Sequence, residues 1–337
     1  SPIFYNLGII FGIVILYPIL GIFGLAIGVV FGAILHFVIQ FVSSVSSGFK
    51  VSFSNKISFK EIKNVITISL PRTLGLSINN IVLIFIVSIA SFLPFGSISV
   101  YTLSLNIQNV PLSIIGLSYA VAAFPNMSRF FKNGDLESFK NNLILGSRQI
   151  IFWSLPIAFL FIVLRAQIVR VILGTPSFSW DDTRLVAASL ALFAISIVAQ
   201  SLIALFARAY YAGGNTKKPL YINLISASLI VIFAKVLLYV FHTNETFRYF
   251  IENILKVNNI EGTSILMLPL AYSLGTIINF LLLWYFIKKD FMHKKDFILE
   301  SFLQSLTASF ALGIVTYFAL NAFSPIFGTE TFFGIFL

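Results

Sequence analysis

Thr102, Asn106, Asn109 and Ser113 recur at intervals of four, three and four residues, the spacing that lines up side chains on one stripe of an α-helix. Upstream, Ser69, Thr73, Ser77 and Asn80 repeat the pattern. Hydroxyls and amides donate and accept hydrogen bonds without carrying charge. No activating base stands at a spacing that would turn one of them into a nucleophile, so the chemistry on offer is recognition of a polar ligand, not bond-making. Nothing resembles a zinc-binding HExxH, a Ser/His/Asp set or a Walker loop. The three His, at 36, 242 and 293, are scattered, and the absence of Cys excludes disulfides, thiolate nucleophiles and Cys-ligated metals. No cofactor, metal ion or catalytic residue is expected.

Pro111 sits inside the second stripe. It has no N–H to return to the carbonyl of Ile107, and Gln108 and Gly116 flank the break. Three cations are candidates to meet an anionic ligand. Arg72 and Arg208 stand at the ends of apolar stretches, where they serve either as ordinary headgroup anchors or as receivers of an anionic headgroup. Lys235 is the one charge deep in such a stretch. It either snorkels to the outer headgroups, about two turns away at His242, or stands as a fixed cation in a cavity wall.

The elements that position these residues are membrane spans. The chain of 337 residues is 58% hydrophobic and 10% charged, with a mean hydropathy of +0.97. Soluble domains carry about 25% charged residues, so a soluble enzyme, a disordered chain and a nucleic-acid-binding domain are all excluded. A spanning helix needs about 20 mostly apolar residues. Nine stretches qualify: 2–20, 22–46, 73–93, 97–124, 140–164, 183–212, 220–241, 263–287 and 299–322. Gly21 and Pro94-Phe95-Gly96 are tight connections that predict two helical hairpins.

The formal charge of +10 reports orientation. Sixteen of the Lys and Arg lie in alternate connections, those following the second, fourth, sixth and eighth spans, against five in the others. By the positive-inside rule the basic connections face the cytoplasm. All 12 acidic residues lie in connections or at span ends, which disfavours a carboxylate-coupled pump within these spans. Ser58-Phe-Lys-Glu61 fits a capping box, and Asp135 fits a helix cap. Each marks either a helix lying in the cytoplasmic interface or the ordinary start of a span.

In the hairpin around Pro94, Asn80 and Asn109 both lie about 20 Å from the outer turn at 1.5 Å per residue. A matched polar layer beside a broken helix suits a substrate site, because an interrupted backbone within the bilayer must face protein or a wet cavity. Polar side chains that merely glue two helices together are the other reading, though glue needs no proline break. The candidate site is therefore Arg72, Ser77, Asn80, Thr102, Asn106, Asn109, Ser113, Arg208 and Lys235, with Pro111 as the break.

Several strings now carry a resemblance. Pro71-Arg-Thr-Leu-Gly-Leu76 opens one span and Ala90-Ser-Phe-Leu-Pro94 closes it. Gly96-Ser-Ile-Ser99 begins the next, and Ala122-Ala-Phe-Pro-Asn-Met-Ser-Arg129 ends it. Arg208-Ala-Tyr-Tyr-Ala-Gly-Gly-Asn-Thr-Lys-Lys-Pro219 joins two later spans. Over nearly its whole length the chain resembles the MurJ (MviN) family of lipid II flippases, of the multidrug/oligosaccharidyl-lipid/polysaccharide exporter superfamily.

The resemblance implies an all-α, polytopic bundle in the bacterial inner membrane. Residues 1–49 would be the fifth and sixth of fourteen spans and 50–297 a second lobe of six spans. Residues 298–337 would be a thirteenth span and the truncated start of another. The implied activity is flipping of undecaprenyl-pyrophosphate-linked disaccharide-peptide by alternating access. The implied partners are lipid II or a related anionic polyprenyl-linked lipid, membrane lipids, and the first four spans from the same or another chain. Those four spans supply half of the family's central cavity, so the chain alone is not expected to flip lipid. The family usually has an Arg at the position of Asn106, and an Asp at that of Asn215. Export of another polyprenyl-linked oligosaccharide or of drugs, and a non-transporting scaffold, are the alternatives.

Overall fold

The structure, a computed structural model, describes residues 2–48, 59–175, 178–292 and 297–327. Every regular element among these is helical. Among the described residues eight helices are long and apolar enough to cross a membrane, and a ninth span arises if the bent pair α9 (Trp180–Ala194) and α10 (Ile197–Ala212) counts as one. The bend is 45°. It falls inside the stretch 183–212, where neither Pro nor Gly announces it. The chain divides into two compact units, Ser1–Lys63 and Asn64–Leu337.

The first unit holds α1 (Pro2–Phe11), a π-helical turn Gly12–Leu16, α2 (Tyr17–Leu20) and α3 (Ile22–Ser46). Pro18, which cannot donate to a preceding carbonyl, follows the π turn, one of the recognised ways a helix absorbs such a defect. The chain reverses at Gly21, whose φ of +57° favours glycine. The two arms then touch backbone to backbone. A Cβ on Gly8 would lie 2.3 Å from the Gly32 Cα, and one on Gly12 would lie 2.6 Å from the Gly28 Cα. Only glycine allows that approach.

The second unit contains α4 (Phe59–Ala90), α5 (Ser97–Pro111), a π turn Leu112–Leu117 and α6 (Ser118–Lys132). It continues with α7 (Leu136–Val163), α8 (Arg165–Leu173), α9, α10, α11 (Lys217–Thr243) and α12 (Glu245–Leu255). Last come α13 (Met267–Phe291), preceded by a 3-10 turn Thr263–Leu266, and α14 (Phe297–Phe327). Main packing partners are α11 with α13, α14 with α7, and α5 with α9.

The Asp135 cap opens a span directly. Asp135 accepts a 3.0 Å hydrogen bond from the Ser138 amide and starts α7. This hydrogen bond holds its carboxyl below the usual carboxylate range. Phe59 begins α4, which runs unbroken to Ala90, while Ser58 and the side chain of Glu61 lie outside the described residues.

Two apolar cores stack along the second unit. One gathers Val82, Ile86, Val100, Tyr101, Phe193 and Met267, from the outer halves of their spans as the charge count orients them. The other gathers Met127, Phe139, Leu143, Leu202, Phe206 and Leu283, largely from the cytoplasmic halves. Between the cores lie the two helix breaks, at Pro111 and at Ile195-Ser196, and the polar layer described next.

Candidate functional site

The breaks are tied together by buried hydrogen bonds. Gln108, fully buried on α5, donates from Nε2 to the Phe193 carbonyl (3.2 Å) at the end of α9. One turn earlier the hydroxyls of Ser104 and Ser189 share a 2.6 Å bond. Ser196 donates to the same Phe193 carbonyl (2.8 Å) and accepts from Gln200 Nε2 (2.9 Å). Ser273 on α13 donates to the Leu192 carbonyl (2.8 Å). The bonds to the Leu192 and Phe193 carbonyls satisfy backbone groups that the bend between α9 and α10 releases, the requirement for interrupting a helix inside a bilayer. The π turn after Pro111 also brings α10 close: a Cβ on Gly116 would lie 2.7 Å from the Ser201 Cα.

Against this layer opens a cavity of about 400 Å³. Its polar lining comes from Asn79 on α4, Ser113 on the π turn, Gln200 and Arg208 on α10, Asn223 on α11, and Thr276 and Asn279 on α13. Gly75, Ile78 and Val82 of α4 and Tyr272 of α13 add apolar wall. The lining run from Gln200 to Tyr211 covers about 16 Å along α10 at 1.5 Å per residue. Arg208, near the cytoplasmic end of that helix by the charge count, is the only cation in the lining among the described residues. Its Nη1 donates to the Ala204 carbonyl at 3.0 Å. Asn279 Nδ2 donates to Asn223 Oδ1 (3.0 Å), while Asn279 Oδ1 is buried without a partner. The cavity thus offers amides, hydroxyls and a guanidinium, groups that can hydrogen-bond polar and anionic ligands.

The structure separates the residues singled out from the sequence. Ser113 and Arg208 line the cavity, and Pro111, buried, introduces the π turn beside it. Asn79 lines it in place of its neighbour Asn80, because Ile78, Val82 and Ile86 form the buried face of α4 and Asn80 points away from them. Asn80, Asn106 and Asn109 are exposed and make no side-chain hydrogen bond among the described residues. The buried face of α5 carries Ser104 and Gln108 instead. Thr102 is half-buried and bonds its own helix at Ile98 O (2.8 Å), and Ser77 is half-buried without lining the cavity. Lys235 is exposed on α11 and apart from the lining, a placement that suits snorkelling. The Arg72 side chain lies outside the described residues.

Sequence reasoning missed Gln200, Asn223, Thr276 and Asn279. Their signal was an isolated amide or hydroxyl in the middle of an apolar span. The Arg208–Pro219 string, read as a family signature, proves structural as well. Tyr210 donates to Asp290 Oδ2 at 2.8 Å, and Lys218 pairs with the same oxygen. Lys218 also lies over the rings of Tyr210 and Phe286.

Comparison with known proteins converges on one family. The family model described as Lipid II flippase MurJ matches residues 1–337. A probable lipid II flippase MurJ of Borreliella burgdorferi is 28% identical over 229 residues, covering 68% of this chain and 45% of that protein. The Rickettsia prowazekii protein of the same description is 34% identical over 159 residues, 46% of this chain and 31% of that one. A solved structure titled Lipid II flippase MurJ, inward closed conformation, aligns with a TM-score of 0.63 at 19% identity, covering 97% of this chain and 66% of that one. The match spans less than half the length of each of these two sequence relatives. The solved structure shows a shared helical architecture, and the family model spans the whole sequence. The chain therefore belongs to the MurJ lipid II flippase family, polytopic helical proteins of the bacterial cytoplasmic membrane.

Proposed function

We propose that this chain forms part of a transporter that carries lipid II, an undecaprenyl-pyrophosphate-linked disaccharide-peptide, from the inner to the outer leaflet by alternating access. One observation carries the reading beyond family membership. Asn80, Asn106 and Asn109 stand exposed on spans without protein partners among the described residues. Bare amides are costly against hydrocarbon, so they belong beside a wet passage or the polar part of a substrate. The cavity beside the π turn supports the same chemistry. Arg208 would take the pyrophosphate, while Asn79, Ser113, Asn223 and Asn279 would take hydroxyls and amides of the headgroup.

No bond is made or broken in such a cycle, so the residues need only bind, exclude lipid and release. An interior-negative potential favours outward movement of an anion by about 2.3 kcal/mol per charge per 100 mV, which suits a pyrophosphate. Transport that ran equally fast with the potential collapsed would remove that energy source. The reading itself is tested by depleting a host's own MurJ and supplying the full-length gene. Wild type is expected to restore growth. An Asn80→Ala/Asn109→Ala double variant, accumulating normally in the membrane, is expected to fail. Full rescue by that variant would show that transport does not use these amides.

A further inference from the structure

Outside the cavity and the broken-helix layer lies a short helix with an apolar edge of its own. α12 (Glu245–Leu255) joins the non-cytoplasmic end of α11 to the turn that opens α13. Asn244 both ends α11 and caps α12, accepting from the Phe247 amide at 3.0 Å. The far end is clamped. Arg165, just past the end of α7, donates from Nη2 to the Leu255 carbonyl at 2.9 Å. Arg184, on the second turn of α9, donates from Nε to the Lys256 carbonyl at 3.1 Å. Guanidinium groups at carbonyls of a helix C-terminus satisfy groups the helix leaves bare and suit its negative end. Thr263 adds a 2.7 Å bond to Glu252 Oε1. Both ends of α12 are therefore tied to the outer ends of membrane spans, and the helix is held across them at the bilayer boundary.

Its apolar residues form one continuous arc at 100° per residue: Phe250, Ile254, Phe247, Ile251 and Leu255. Half of that arc is used internally, since Phe247, Ile251 and Leu255 pack on the outer core. The other half is bare, with Phe250 59% exposed and Ile254 58% exposed. Thr246 and Asn253 border it on the far side.

We propose that the Phe250–Ile254 ridge is seated in the outer leaflet, at the boundary between headgroups and acyl chains, so that α12 fixes the depth of the second unit in the membrane. A lipid surface is the occupant because α12 follows directly on the membrane span α11, whose Ile232, Val236 and Tyr239 are exposed as lipid-facing residues are, and is held at the outer end of that span. The attraction is apolar. The helix carries Glu245, Glu252 and Arg248, a net charge of −1, which gives it no pull toward anionic headgroups. Seating is independent of what the protein transports.

The chain has no Cys, so single Phe250→Cys, Ile254→Cys, Thr246→Cys and Asn253→Cys variants each accept one nitroxide label. Collision rates with oxygen and with a water-soluble nickel chelate are then read in phosphatidylethanolamine/phosphatidylglycerol vesicles and in pure phosphatidylcholine. Labels at 250 and 254 are expected to show an oxygen-to-nickel ratio several-fold above those at 246 and 253, unchanged between the two vesicle types. Equal ratios at all four positions would place the ridge in water. Protection of 250 and 254 from both reagents would place it against protein, and a ratio that collapses without phosphatidylglycerol would make the attraction electrostatic. Any of these overturns the proposal. Phe250→Trp, with its fluorescence quenched by brominated lipid tails, reads the same seating without a label.

Discussion

The first unit and the broken-helix layer of the second solve one problem in opposite ways. Lipid tails are as apolar as leucine, so helices in a membrane are not pushed together by water and must find another attraction. The α1–α3 hairpin uses close steric contact. Gly8, Gly12, Gly28 and Gly32 bring the two backbones together. The layer around Gln108 and Ser196 uses polarity, with Ser104–Ser189, Gln108–Phe193 and Ser273–Leu192 joining three helices. Steric closeness is unforgiving but needs no satisfied partner. Polar joints tolerate a break in the helix, and the two breaks occur where those joints are.

The contrast can be broken at its steric end first. Gly28→Leu places a side chain where a Cβ already lies 2.5 Å from the Gly12 Cα, and backbone cannot yield as a flexible side chain can. Overpacking usually costs about 1–3 kcal/mol, and this position is expected at or above the top of that range. A several-degree loss of melting temperature in detergent would show it. A melt equal to wild type would mean the arms separate at little cost.

The polar end should respond more gently. A double-mutant cycle on Ser104→Ala and Ser189→Ala is expected to give a coupling of about 0.6 kcal/mol, the average for hydrogen bonds between membrane helices. Reversible unfolding in mixed micelles measures it. A coupling as large as the glycine effect would erase the distinction.

The smallest effect lies outside both regions and calibrates them. The Asp135 cap holds its carboxyl below the ordinary range through the Ser138 amide. Its stabilisation is present above the unfolded carboxylate value and is lost as pH falls through the lowered folded one. The protection of the first-turn amides of α7, taken relative to intrinsic exchange at each pH, is therefore expected to fall between about pH 5 and strong acid. Asp135→Asn, still a cap, should remove that pH dependence.

Much of this was legible in advance. Nine apolar stretches, the turns at Gly21 and Pro94-Phe95-Gly96 and the cap at Asp135 followed from residue types and spacing, and the family from the resemblance of several strings. The side of each helix that faces inward did not. In a soluble helix the apolar stripe points to the core, but a span is apolar all round, so periodicity locates a polar stripe without saying what it faces. Asn106 and Asn109 were found by their spacing, while Ser104 and Gln108, on the opposite face of α5, formed the buried joints. The bend at Ile195-Ser196 had no proline to betray it, because Ser196 and Gln200 supply its hydrogen bonds from within an ordinary helical sequence. α12 was hidden for another reason. Half its apolar arc is consumed by the core, leaving a segment that reads as a charged connection.

Asp290 receives Tyr210 from the last turn of α10 and Lys218 from the first turn of α11, while itself closing α13. Three helices thus share one oxygen at their base, like poles lashed at the foot of a tripod. Tilting any one of them there strains the hydrogen bond or the ion pair, so the three bases are biased to move together.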